Sequence, residues 1–322
     1  MIRFPRAGCA ALALACAAPV AAQTTYPARP VRIVVPSSPG GGLDFIARAV
    51  GQHLSKAWGQ SVVVDNRAGA GGTLGPDLVA KAPPDGYTLL VVSASFAVNP
   101  SVYPKLPYDS VKDFEPIILA TTQPQVLVVN AGVPAKSLKE LIALAKAKPG
   151  ALNYASPGAG TLSQLTFELF KSAAGIDIVH VPYKGAGLSM TAVVSGETQT
   201  STGSTISAQP HLKSGKLRAL ATTGPRRSPA MPDVPTMAEQ GLPGATITGW
   251  YAFLAPARTA KPVTDKLNAD FARVLALPEI REQLAREGSE PAGGRPEQLA
   301  KHLATEIARL GRIVKASGAG GQ

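Results

Sequence analysis

Apolar residues recur at helical spacing in several stretches of the chain, and short β-branched runs separate them. Ile46, Val50, Leu54 and Trp58 fall four residues apart while Arg48, Gln52 and Lys56 fall on other faces, which predicts an amphipathic helix. A β-branched strand beginning at Val31 leads into it through Gly40, Gly41 and Gly42. Further strands are predicted at Ser61 to Val64, Thr88 to Val92, Glu115 to Ala120, Gln125 to Asn130 and Ala151 to Ser156. Others follow at Ile176 to Val181, Thr198 to Thr202, Leu217 to Thr222 and Thr246 to Leu254. Helices are predicted over Leu74 to Ala82, Leu138 to Lys148, from Thr161, near Leu188 to Ser195 and near Ala208 to Lys213. Ser137 with Glu140, and Thr161 with Gln164, have capping-box spacing. Pro262 suits the first turn of a helix striped by Val263, Leu267, Phe271 and Val274; the last helix carries Leu299, Leu303, Ile307, Leu310 and Val314. The alternation of strand and helix implies an α/β fold with largely parallel sheets. Thr121-Thr122-Gln123-Pro124 reads as a break between two strands and a hinge, and the proline-rich stretch Pro225 to Gly244 as surface chain. The Gly/Ala tail from Gly318 reads as disordered.

Composition adds a compartment. Arg3 and Arg6 precede an Ala-rich apolar run from Ala7 to Val20, and Val20-Ala21-Ala22 precedes a cleavage point before Gln23. Residues 1–22 therefore read as a secretion signal, too short to span a membrane. Cys9 and Cys16 both fall inside it, so the mature chain is expected to lack thiol catalysis, cysteine metal sites and disulfides. The remaining length suits two domains. The formal charge is +11, and losing Arg3 and Arg6 leaves +9, which suits an anionic ligand. The cations are scattered and do not interleave with the seven tyrosines and eight phenylalanines, which argues against nucleic-acid binding.

Two glycine loops carry the candidate chemistry. Val31 to Arg48 places Gly40, Gly41 and Gly42 at a helix start, and Pro157-Gly158-Ala159-Gly160-Thr161 does the same in the second half. A helix start exposes unpaired N–H groups and partial positive charge, so each loop is either a tight turn or an anion site. The N–H groups near Gly160 are expected to be available to a ligand, whereas the Thr161 hydroxyl is expected to cap its helix. Asp44 is read as stabilising the first helix start rather than as catalytic. A run from Ala68 to Gly72 imitates a dinucleotide fingerprint, but its sixth position is Leu74; Asp65 and Arg67 are expected to pair across that turn. Gly215-Lys216 lacks the rest of a Walker loop. His53, His180, His211 and His302 are dispersed, no catalytic motif stands out, and no cofactor or metal site is expected.

Taken together, several segments resemble the extracytoplasmic solute receptors of the tripartite tricarboxylate transporter family, also called Bug receptors. They are Tyr26 to Arg48, Val64 to Gly72, Pro84 to Leu90, Asn99 to Phe114, Pro134 to Asn153, His180 to Gly185, Lys216 to Ala221 and Ser228 to Pro243. The resemblance covers nearly the whole mature chain in order. It implies a type II periplasmic binding protein, two α/β lobes joined by crossover strands with a ligand cleft between them. Residues 23–122 and 248–322 would form lobe 1, residues 123–247 lobe 2, and the hinge would lie near Thr122-Gln123 and Ile247-Thr248.

In that family the ligand carboxylate is held by the loops that here comprise Ser38, Pro39, Gly40, Gly41, Gly42 and Asp44, and Ser156, Gly158, Ala159, Gly160 and Thr161. Ser93, Ser95 and Phe96 are implied to face the cleft, with Tyr183 on the other wall and Lys184 either there or a solvated surface charge. Relatives commonly carry an Asp where this chain has Gly203 between Thr202 and Ser204. Its absence implies a roomier pocket, with hydroxyls for a second carboxylate or another polar group. The function implied is capture of a small organic carboxylate, by a monomer, for membrane transporter subunits. A receptor presenting its ligand to a membrane sensor is the alternative, and a secreted α/β hydrolase a third.

Overall fold

The computed structural model describes residues 26–317 except 70, 71, 104, 184 and 287. The secretion signal expected over residues 1–22, the tail from Gly318 and Lys184 lie outside the described residues. The first unit runs β1 (Val31–Val35), α1 (Gly42–Trp58), β2 (Val62–Asn66), α2 (Leu74–Ala80), β3 (Thr88–Ser93) and α3 (Ala94–Val102). Strand β4 (Phe114–Asn130) leads to α4 (Leu138–Ala147), β5 (Asn153–Ser156), α5 (Leu162–Ala174), β6 (Val179–Pro182), α6 (Ala186–Ser195), β7 (Thr200–Ser204), α7 (Thr205–Lys213) and β8 (Leu217–Thr222). The chain returns through β9 (Thr248–Pro256) to α8 (Lys261–Ala276), α9 (Pro278–Arg286), β10 (Glu290–Gly293) and α10 (Pro296–Ser317).

Strands β2, β1 and β3 are parallel neighbours, and β9 and then β4 add to them antiparallel. In the second half β6, β5 and β7 are parallel neighbours, and both β7 and β8 pair antiparallel with β4. Helices cover both faces of each sheet. Ile46, Val50 and Leu54 of α1 pack with Ile33 and with Leu267 and Phe271 of α8 on one face of the first sheet; Val34, Leu90 and Trp250 pack with α3 and α10 on the other. In the second half Tyr154, Phe167 and Phe170 form one layer, and Val126, Met190 and Val193 the other. This two-sided burial explains why the central strands read as continuous apolar runs.

Three expectations change. The break expected at Thr121 to Pro124 is continuous strand: those residues pair with Tyr251, Trp250, Gly249 and Thr248, and the partner changes from β9 to β7 only between Pro124 and Gln125. These residues are polar because they lie where the two sheets meet, yet Thr121 and Gln123 are buried and hydrogen-bonded to each other. Within the stretch Pro225 to Gly244, Met231, Thr236 and Met237 are buried, and Met237 N–H donates to the Thr222 carbonyl, so part of it is core. The sequence reading also lacked α3, α9 and β10. Helix α3 contains Pro100 and survives because Phe96 stacks on Tyr108 and meets Phe114 edge-on, while Asn99 donates to the Tyr108 hydroxyl.

Candidate functional site

The loops after β1, β3 and β5 leave the carboxyl ends of parallel strands, where α/β folds bind ligands. Each opens a helix, with Gly41, Ser93 and Thr161 as the N-caps of α1, α3 and α5. Between them lies a cavity of about 500 Å³. Its walls include Pro36, Ser37, Leu43, Pro76, Val92, Phe96, Asn99, Val102 and Tyr103 from the first half, and Pro157 to Thr161 with Gly185 from the second. A smaller chamber of about 180 Å³ adjoins it at the crossover strands, lined by Gln123, Gln125, Ser163, Gly249, Trp250 and Tyr251 among others. Ser93, Ser95, Pro157 and Thr161 line both, so the two are one divided cleft. Among the described residues, no Lys, Arg, His, Asp or Glu lines either chamber. Positive potential there comes from the ends of α3 and α5, whose residues Ser93, Ser95 and Thr161 line both chambers, roughly half an elementary charge each; at α1 the Asp44 carboxylate already occupies the helix start.

The first loop is braced from behind. The Asp44 carboxylate accepts from Gly40 N–H, Arg48 Nε and Asn66 Nδ2, each at 3.0 Å. The hydrogen bond from Arg48 is the main reason its carboxyl stays below the usual carboxylate range, against the opposing effect of burial. Ser38, Pro39, Gly40 and Gly41 form an exposed tip, and neither they nor Gly42 and Asp44 line the chambers. The wall comes from the loop's flanks, Pro36, Ser37 and Leu43. Ser37 Oγ is sealed from solvent without a hydrogen-bond partner among the described residues. Gly42 sits against the inner chamber's wall, since a Cβ there would run into the Tyr251 hydroxyl.

The second loop lines the cavity with Gly158, Ala159, Gly160 and Thr161. Thr161 caps α5, accepting from Gln164 N–H at 3.4 Å and donating to the Gly158 carbonyl at 2.8 Å. The expected free N–H of Gly160 is instead taken by Gln164 Oε1 at 2.7 Å. Ser156 is fully buried beneath the loop, with Oγ 2.6 Å from His180 Nε2. His180 also meets Gln164 at 3.3 Å and stacks on Tyr154, and burial holds its pKa below the ordinary histidine value. This serine–histidine pair has the distance of a nucleophile and its base, but no substrate reaches a serine with no exposed surface.

The remaining expected contacts point elsewhere. Tyr183 lines neither chamber; its hydroxyl donates to Glu197 at 2.7 Å, and burial together with that bond pushes its pKa up to about 12. Thr202 is buried and donates to the Ser163 carbonyl at 2.6 Å, and Ser204 caps α7. A Cβ on Gly203 would lie 3.1 Å from Met190 Cε and 3.2 Å from Ser207 Oγ, so the space beside it is filled by the protein itself. Thr202, Gly203 and Ser204 line neither chamber, and the expected roomier distal end is not formed there. Asn99 and Tyr103 were missed, although their four-residue spacing from Ser95 signals one helical face. Gln123, Gln125 and Tyr251 were missed because their strands are brought to the cleft only by the sheet topology.

A larger cavity of about 740 Å³ lies between α5 and α10. Its lining cations are Lys171, Arg309 and Arg312, of which Lys171 and Arg309 are engaged by Glu168 and Glu306, and it touches none of the three loops.

With this geometry in view, comparisons with known proteins agree on one family. The model of the tripartite tricarboxylate transporter family receptor matches residues 46–319. Protein BugT of Bordetella pertussis is 39% identical over 305 residues, covering 94% of this chain and 93% of its own. A structure of an R. palustris protein solved with adipate superposes with a TM-score of 0.84 at 35% identity, covering 91% of this chain and 98% of the other. The periplasmic binding protein BugD superposes with a TM-score of 0.81 at 33% identity, covering 92% of this chain and all of the other. The two-lobed α/β architecture is thus that of periplasmic solute-binding proteins. The chain belongs to the tripartite tricarboxylate transporter receptor family.

Proposed function

We propose that this chain is a periplasmic receptor that captures a small organic carboxylate between its lobes and delivers it to membrane transporter subunits. The observation that carries the reading is the convergence of the N-termini of α3 and α5, with Leu43 from the first turn of α1, on a cleft walled by both halves, with no charged side chain among its described lining residues. Such a site favours an anion over a cation or a neutral sugar. The adipate bound by the R. palustris relative supports a carboxylate as that anion.

Export of residues 23–322 after cleavage near Ala22 and action as a monomer belong to the same proposal. So does a division into lobes at the crossovers. β4 changes partner after Pro124, and Thr223 Oγ1 links Gln125 N–H to the Ile247 carbonyl beside it. Closure shifts a two-state equilibrium by the ligand's preference for the closed form. The sealed Ser156 gives no support to a hydrolase.

The test is a thermal-shift screen of ligand-stripped protein against small carboxylates and their amides. Ligand at a hundred times its Kd adds about 2.7 kcal/mol of stability. A shift with a carboxylate and none with its amide is expected. No shift with any carboxylate contradicts the reading.

A further inference from the structure

Resting on that reading, we infer that the cleft is built for a monocarboxylate with an apolar body, its head in the inner chamber and its tail in the outer one. The division of labour follows from the linings. In the inner chamber, Gln125 Oε1 already accepts from Ser163 Oγ at 3.2 Å, and Gln123 Oε1 accepts from Thr121 Oγ1 at 3.1 Å and Ser289 Oγ at 3.4 Å. With both amide oxygens occupied from within, the two NH₂ groups are the ends left to the chamber, and both are donors. Neither amide nitrogen has a protein partner among the described residues, and neither is sealed from solvent. The N-termini of α3 and α5 open on the same chamber through Ser93 to Ser95 and Thr161 to Ser163. A carboxylate is acceptor-only, so it matches a chamber of donors.

The outer chamber has the opposite character. Leu43, Pro76, Val92, Phe96 and Val102 present hydrocarbon, and no cationic side chain stands among the described lining residues. Asn99 donates one of its two amide hydrogens to the Tyr108 hydroxyl. A second carboxylate placed there would lose water and find no cationic side chain among the described lining residues, only the helix ends already engaged by the first, which is costly. An alkyl or aryl tail would instead gain from burial. The ends of α3 and α5, roughly half an elementary charge each, together match about one carboxylate and fall short of two.

Hexanoate and adipate isolate the difference, since adipate replaces the terminal methyl group of hexanoate with a second carboxylate. Calorimetric titration of the ligand-stripped chain should give a Kd for hexanoate about tenfold or more below that for adipate, with citrate weaker still. Adipate binding as tightly as hexanoate, or citrate tighter than either, overturns the inference while leaving a carboxylate receptor standing. Failure of all three and of malate would instead remove the receptor reading beneath it.

A second arm uses Tyr103→Lys on the half-buried outer wall, which supplies the missing cation without touching the inner chamber. The ratio of adipate to hexanoate affinity should rise about tenfold. An unchanged ratio in a variant with wild-type melting behaviour means the distal end of the ligand lies elsewhere, and overturns the assignment of the tail.

Discussion

Replacing Asp44 with Ala separates a brace from a ligand contact. The carboxylate holds the Gly40 N–H, Asn66 and Arg48, and is only 5% exposed. The Arg48 side chain is 54% exposed, so its pairing is screened and contributes little. The two remaining hydrogen bonds to a charged acceptor, with the favourable position in the first turn of α1, together contribute about 2–3 kcal/mol. Thermal unfolding of ligand-free Asp44→Ala should therefore show a Tm lower by roughly 4–12 °C. Asp44→Asn, which keeps one acceptor oxygen, should fall between, and Arg48→Ala should lower the Tm less than either. The hydrogen bond from Arg48 leads the effects that depress the folded-state pKa of Asp44. Its contribution is thus present in full above about pH 4 and is lost as pH falls through the folded value. Wild type and Asp44→Ala should converge in that acid window. A variant with unchanged apo Tm but lost carboxylate binding would refute the brace and make Asp44 a contact.

Three further outcomes follow from the same geometry. Gly160 has φ of +74° and a Cβ there would lie 3.2 Å from Val102 across the cleft, so Gly160→Val should cost about 2 kcal/mol in urea unfolding and abolish carboxylate binding. Thr223→Val removes an acceptor for Gln125 N–H and a donor to the Ile247 carbonyl; it should cost about 2 kcal/mol and change ligand on- and off-rates in stopped flow, whereas unchanged rates would move the hinge elsewhere. Burial depresses the folded pKa of both His180 and His302, so their stabilising effect is present above about pH 6.5 and fades as pH falls below it. Denaturant midpoints should drop from pH 7 to pH 5 more steeply in wild type than in a His180→Gln, His302→Gln variant, and equal slopes would count against this.

What the sequence made legible depended on how local the cause was. The stripe Ile46, Val50, Leu54 set α1 and its buried face, since helical spacing and burial are both local. Strand β8 was legible for the same reason, as a short, mostly apolar run from Leu217 bounded by Gly215 and Gly224. The crossover was not, because Thr121 to Pro124 look like a loop until β9, far along the chain, supplies their partners. Helix α3 was hidden by Asn99-Pro100, whose helix-breaking tendency is overridden by packing of Phe96 on Tyr108 and Phe114. At the site, the loops were legible from their glycines, but the wall residues were displaced. The glycine tip from Gly40 makes the turn, so Ser37 and Leu43 on its flanks make the wall. The neutral donors Gln123 and Gln125 carry no sequence signature and follow only from where the two sheets meet.

The most direct test of the account is a crystal structure of the chain with the carboxylate that gives the largest thermal shift. Its carboxyl group is expected at hydrogen-bond distance from Ser93, Ser95 or Thr161, between the N-termini of α3 and α5. A carboxylate found instead in the cavity between α5 and α10, against Lys171, Arg309 or Arg312, would contradict it.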